Sequence, residues 1–459
     1  MTFDPILAAV RFGNGLSPDV TAPASVADML TLLAGPDLAA AAYPIGLFDD
    51  IRPSQWDFRL VSSDIQAAET DADREAAMQR RADMRAASNE LWARNTTMQL
   101  SRDVTTRDGM RERLVRFWAD HFTAPPTNGA WRYHVYPMIE QRIRPHIAGR
   151  FSDMLRAAVM NPLLIQYLSQ TQSIGPQSEV GQRTGRGLNE NMAREVLELH
   201  TLGTGGGYSQ TDVREFAELL TGLTYSARRG LSYQTNKAEP GAEVVLGRSY
   251  GGGEASLDQV LQALDDLALH PDTARHLARK LAVHFIGPEV DADLVTGMAA
   301  RYLDSGGALM ALYEAMLDHP AAWGADLRRV KRPVDFVAAS LRALAVAPAE
   351  LNDWPYRTVA RRIFRPLSAM GQTLHQPLGP DGWSEDDAAW ITPQGMAGRI
   401  TWAMQMPERM LDRLPDPRDF VFHALGPTPP EAVVFAAHAA ETVPDGIGLV
   451  LASSAFQRR

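Results

Sequence analysis

Cysteine is absent from all 459 residues. That removes thiolate nucleophiles, thiolate-bound metals, iron–sulfur clusters and disulfide staples together. No apolar run reaches the ~18–20 residues that a membrane-spanning helix requires. Basic charge is also short, with 45 Lys+Arg against 55 Asp+Glu and a formal net charge of -10. A surface of that sign repels phosphate backbones, so no nucleic-acid partner is expected. The opening MTFDPILAAVRFGNG carries Asp4 and has no basic region ahead of an apolar core. No signal peptide is visible in it, so the expectation is a cytoplasmic protein, or a periplasmic one if it is exported with a partner. The Gly-x-Ser-x-Gly elbow of serine hydrolases is missing. The run from Gly203 to Gly207 lacks the Lys-Ser/Thr pair of a phosphate-binding loop and reads as a helix stop followed by a turn.

What is present is an ordinary soluble composition, 45% hydrophobic and 22% charged. Helical periodicity runs through most of it. Residues 3–12 and 25–34 read as short helices, and 60–107 as one or two long helices with a solvated, charged face. RERLVRFWADHF (111–122) is strongly amphipathic, and 131–172 holds further helices broken near Pro145 and Pro162. Residues 189–203 and 209–222 form the next pair, the second opened by a capping box from Ser209 to Asp212. Short β-type runs then predict a small hairpin excursion around 223–250. Helices resume at 256–269, 272–286, 291–304, 307–318 and 331–346. An irregular Pro-, Gly- and Trp-rich segment (365–395) precedes two more, at 395–413 and 429–440. The expected fold is mainly α, as one unit over 1–459 or as two helical halves (1–222 and 254–459) joined by the β excursion at 223–253.

The densest polar cluster is Asn189-Glu190-Asn191-Met192-Ala193-Arg194-Glu195-Val196-Leu197-Glu198-Leu199-His200. With Asn191 at 0°, an α-helix puts Glu190, Arg194, Glu198 and Glu195 at about 260°, 300°, 340° and 40°. Such an arc is either a water-facing stripe tied by i,i+4 pairs or the wall of a cleft. In the cleft reading Arg194 is a buried counter-ion, and Glu195 and Glu198 divide acid and base roles. His200 falls on the apolar side, where a hydrogen-bonded core imidazole is expected. His121 shares a stripe with Leu114, Phe117 and Trp118, so it also points inward. It either rests on a backbone carbonyl or meets His200 across two packed helices to line one polar pocket. The same residues, Glu195, Glu198, His200 and His121, are the candidates for a divalent metal, although only Glu195 and Glu198 have helical chelating spacing. Trp118, Asn189, Glu190, Asn191 and Trp383 are the candidate substrate contacts. Trp383 and Trp390 are either a stacking platform or packing aromatics. His276, Lys280 and His284 recur at i,i+4,i+8 and read as a partly exposed helix face.

These segments resemble a bacterial family, domain of unknown function 1800. The resemblance is carried by FW-x-x-HF (Phe117, Trp118, His121, Phe122), by Gly149-Arg150-Phe151, and above all by NENMAREVLELHTLG with GGGYSQTDVREFAELLTG. HPDTARHLARKLAVHFI, KRPVDFV, GQTLHQPLGPDGW, AWITP and the closing SSAFQRR extend it along nearly the whole chain. The family brings no established activity. It implies a partner, because many relatives are encoded beside a sulfatase-like protein of the domain of unknown function 1501 family and carry an export signal. One departure stands out: relatives commonly have His-Asp and Lys before the VLG turn, where this chain reads NKAEPGAEVVLG. Three functions therefore stand side by side: an acid/base hydrolase or lyase acting on an envelope or extracellular polymer, a non-catalytic maturation partner of the sulfatase-like protein, and a metal-binding helical protein.

Overall fold

Short polar side chains stop the backbone of one segment and start the next. Ser54 and Asp57 close a capping box at the start of the Gln55–Ala67 helix, and Thr70 caps Asp71–Thr105. Ser209 and Asp212 close the second capping box, ahead of Gln210–Leu219, as the spacing predicts. Each oxygen satisfies a first-turn amide that would otherwise lack a partner. The computed structural model describes residues 3–127, 129 and 131–459, and helices dominate it from Pro5 to Gln457. Among the described residues, strand is confined to two antiparallel hairpins between Leu223 and Gly251. β1 (Leu223–Ser226) pairs with β2 (Gly230–Tyr233), with Leu223 opposite Tyr233. β3 (Ala242–Val245) pairs with β4 (Arg248–Gly251), and Val245 faces Arg248. Leu246 and Gly247 both have positive φ, the two-residue turn that matches strand twist. No described helix is long and apolar enough to cross a membrane.

The long helix differs from its sequence reading. Its first half is solvated, but from Asn95 to Val104 the charges, Arg102 and Asp103, are buried too. Arg102 donates to Glu140 at 2.7 Å and to the Tyr43 carbonyl, and Asp103 accepts from Arg116 at 2.7 Å. Periodicity locates a polar face; it does not say whether that face meets water or another polar face.

Two buried apolar clusters hold the helices. One gathers Phe12, Leu114, Trp118, Phe151 and Trp323, and it draws on residues from both sides of the hairpin segment. The other gathers Trp92, Leu100, Phe336, Trp402 and Phe420. The Gly109–His121 helix turns its apolar stripe to the first cluster. Its polar stripe (Arg113, Arg116, Asp120) faces Asp103, Asp335 and Arg332 from the elements of the second. A cavity of about 130 Å³ runs along this charged seam.

Candidate functional site

The motif helix begins at Asn189, whose side-chain oxygen accepts from the Asn191 amide at 3.0 Å. Its own amide nitrogen donates to the Leu168 and Ser169 carbonyls, so Asn189 fixes the chain entering the helix. Asn191 is exposed. The α-helix runs over Asn191–Glu195 and then widens into a π-turn over Val196–Thr201. Thr201 Oγ1 follows the wider pitch, donating to the Val196 carbonyl five residues back at 2.7 Å. Such widened turns are frequent at functional sites, and the described residues hold two others, over Ala8–Phe12 and Ala360–Phe364.

Arg194 donates to Glu198 at 3.1 Å, to Glu190 at 3.3 Å and to Gln210 at 3.0 Å. Its side chain is 39% exposed, so it is a surface clamp and not the buried counter-ion of the cleft reading. Glu195, on the same helix, is half-buried. Its carboxyl is pushed up to about 7, first by burial and then by the charges of Glu198 and Asp381. Tyr167 is raised by burial and by Glu195 and Asp381, which places all three groups around one spot. Tyr208, near Glu198, is raised as well, by burial and by that carboxylate.

Behind this rim lie the imidazoles. His121 and His200 meet with ring centroids 5.8 Å apart, and His276 stands 6.2 Å from His121. The π-turn carbonyls set two of these rings. His121 Nε2 donates to the His200 carbonyl at 3.1 Å, and His276 Nε2 to the Leu199 carbonyl at 3.0 Å. Both alternatives for His121 therefore hold at once, because it rests on a carbonyl and meets His200. His200 is buried as expected, yet neither of its ring nitrogens has a hydrogen-bond partner among the described residues. Lys280 Nζ lies 3.1 Å from His121 Nδ1. Burial and the nearby Lys280 charge hold His121 well down, His200 down to about 3 and His276 down to about 4. Three neutral imidazoles thus surround one amine. Trp118 is fully buried, donates to Tyr313 at 2.7 Å, and packs edge-on behind His121.

The Pro271–Phe285 helix supplies this amine, and its i,i+4,i+8 row turns inward. The reading of a partly exposed face holds for His276 and Lys280, which are half-buried, but not for the end of the row: His284 is buried and bridges two segments, Nε2 to Arg113 at 3.1 Å and Nδ1 to Glu385 at 2.7 Å. Glu385 also accepts from Arg332 at 2.9 Å, and Arg332 reaches Asp120 at 2.7 Å. Arg332, His284 and Arg329, the last donating to Glu385 at 2.5 Å, hold Glu385 far below the usual carboxylate range, against the burial that opposes them. Asp120 accepts from the Trp383 amide at 2.9 Å, which ties the 371–383 loop to the end of the His121 helix. Gly382 makes this approach possible: with φ +83, a Cβ there would sit 2.7 Å from Asp120 Oδ1. The loop thereby delivers Asp381 to Glu195 and Trp383 to the cavity rim. Trp390 is buried 5.8 Å from Trp383, a packing aromatic.

His121 has both ring nitrogens engaged, and the candidates Glu195, Glu198, His200 and His121 do not converge on a point. Among the described residues, the one group of acidic or imidazole side chains with ligand atoms all within 4.8 Å is Glu215, Glu218 and Glu243, beside the β3–β4 hairpin. Glu215 there accepts from the Val244 amide at 2.8 Å and Glu218 from Arg214 at 3.1 Å. Burial and the neighbouring Glu218 and Glu215 push Glu243 up to about 7.

Compared with known families, residues 19–458 match the one described as "Protein of unknown function (DUF1800)". The chain belongs to the DUF1800 family. No curated protein and no solved structure matches it. In this DUF1800 chain the polar motif and both histidines assemble where the sequence motifs are densest. Lys280, Asp381, Asp120 and Glu385 complete the site from segments far apart in sequence. The spacing of His276, Lys280 and His284 was the available signal for Lys280, and it needed the partner helix to show which way it faced; the spacing carried none for Asp381, Asp120 or Glu385.

Proposed function

We propose that this chain is an acid–base enzyme, a hydrolase or lyase, in which Glu195 exchanges the proton and Glu198 is held by Arg194. The contrast between these two carboxylates, close together on one helix, carries the reading. One is half-buried and pushed up to about 7, whereas the other is paired with a guanidinium at 3.1 Å. A carboxyl poised near neutral pH beside a differently solvated partner is the arrangement that lets one group donate a proton while its neighbour supplies charge. The substrate range to test is that of the envelope and extracellular polymers, both polysaccharide and peptide. Purified protein incubated with such polymers is expected to generate new chain ends, with a rate that falls as pH rises through about 7. Glu195→Gln is expected to lower that rate by about 10²–10⁴ at unchanged far-UV circular dichroism. A Glu195→Gln protein as active as wild type sinks the reading. So does a Glu195 carboxyl that titrates, by carbon-detected NMR, in the ordinary carboxylate range.

A further inference from the structure

The chain holds three lysines against forty-two arginines. Nearly every cation in its ion pairs is a guanidinium, which pairs in a planar fork and stays charged at any physiological pH. An amine can do what a guanidinium cannot: shed its proton near neutrality and present a lone pair. Of the three, Lys331 is sealed in the core, where Nζ donates to the Phe456 carbonyl and lies 4.3 Å over that ring. Lys237 follows the β1–β2 hairpin in the turn Thr235–Lys237. Lys280 alone combines partial solvent access with the site just described.

Its surroundings set its state. Among the described residues its one hydrogen bond is to His121 Nδ1 at 3.1 Å, and no described carboxylate forms an ion pair with it. The groups that face it come from five elements: His276 on its own helix, His121 and Asp120 on the next, and His200 on the π-turn. Arg332 sits ahead of the Pro333–Ala343 helix, and Asp381 and Glu385 lie in the irregular segment. Burial lowers the amine's proton affinity, and the charges of Asp120, Glu385 and Asp381 only partly oppose this. Asp120 and Glu385 are already spent on Arg332.

We infer that Lys280 is a nucleophilic amine that condenses with an uncharged aldehyde or ketone to form a Schiff base. The Nζ lone pair forms the C–N bond, and the first proton that nitrogen sheds passes through His121 Nδ1, already hydrogen-bonded to Nζ, to the carbonyl oxygen, giving a carbinolamine. The second Nζ proton takes the same route to the hydroxyl, which departs as the C–O bond breaks. The products are an imine and one water, with no oxidant or reductant. Asp120, Glu385 and Asp381 against Arg332 and Arg329 leave one net negative charge around the amine, which disfavours anionic carbonyl compounds, so the class is uncharged. The inference stands independently of Glu195, since labelling reads Lys280 whether or not that carboxyl carries a proton.

The test is reductive trapping on the intact folded chain near neutral pH, with glycolaldehyde and cyanoborohydride, followed by peptide mapping. Lys280 is expected to be modified at least about tenfold faster than Lys237, because burial favours its neutral, nucleophilic form. Lys280→Arg is expected to remove that adduct and leave the Lys237 rate unchanged. Pyruvate, as the anionic probe, is expected to be trapped more slowly than glycolaldehyde. Modification of Lys280 no faster than Lys237, or only after unfolding in urea, would overturn the inference. Faster trapping of pyruvate would overturn the substrate class.

Discussion

Arg194 and Arg332 each hold two carboxylates, yet they stand in different media. The Arg194 side chain is 39% exposed and Arg332 is 7% exposed. Water screens the first pair and already solvates its ions, so the pair is worth about 0–1 kcal/mol. Removing the second guanidinium leaves Asp120 without its ion pair and Glu385 with Arg329 alone, in a mostly buried seam, a loss of about 3–5 kcal/mol. Urea denaturation is expected to place Arg194→Ala within about 1 kcal/mol of wild type and Arg332→Ala lower by the larger amount. The opposite order would mean that the motif arc is the buried network. Sequence periodicity pointed to Arg194 because it gives direction around a helix and no information on depth.

At the scale of elements, the π-turn and its glycine stop set the imidazoles. Widening the helix at Val196–Thr201 turns the Leu199 and His200 carbonyls toward His276 and His121. Gly203 ends the turn at φ +84, and a Cβ on it would fall 2.8 Å from His276 Nδ1. Gly203→Ala therefore combines a left-handed backbone with a collision. It is expected to cost about 1–3 kcal/mol from the backbone alone and to break the bond from His276 to Leu199. Gly205→Ala is the control, because nothing lies within 4 Å of its added Cβ. Thermal denaturation and the His276 ring-nitrogen NMR shifts check both. Equal stability of the two variants would show that the turn tolerates a side chain.

Over the whole molecule, buried histidines outnumber what a neutral core needs, and this has a consequence for pH. His121, His200, His276, His284 and His375 are all lowered, each first by burial. Below the ordinary value near 6.5 the unfolded chain binds protons that the native imidazoles refuse, so stability is lost on acidification. The window opens near pH ~6.5 and extends down toward about 4 for His276 and about 3 for His200. Each imidazole that stays neutral contributes a slope of roughly 1.4 kcal/mol per pH unit. Glu195 and Glu243, both pushed up to about 7, act with the opposite sign: their contribution is present in acid and is lost as pH rises through that value. The histidines outnumber them, so urea midpoints are expected to fall steeply between pH ~6.5 and ~4.5. A flat profile would mean that the native imidazoles carry protons.

The sequence alone determined the helical class, the hairpin excursion, most helix positions and the inward aim of His121 and His200. Those features follow from local rules: periodicity, capping residues, breakers and the side of a helix on which a residue falls. The Ser209–Asp212 box and the meeting of the two histidines were legible for that reason. Only the tertiary structure decided which polar faces met one another. Arg102 and Asp103 of the Asp71–Thr105 helix are buried because Glu140 and Arg116 approach them from other segments. Lys280 became an isolated amine because the His121 helix, the π-turn and the 371–383 loop closed around it, removing most of its water and leaving it no carboxylate of its own. Burial of a charge depends on what the rest of the chain brings to it, and no local pattern in the sequence encodes that.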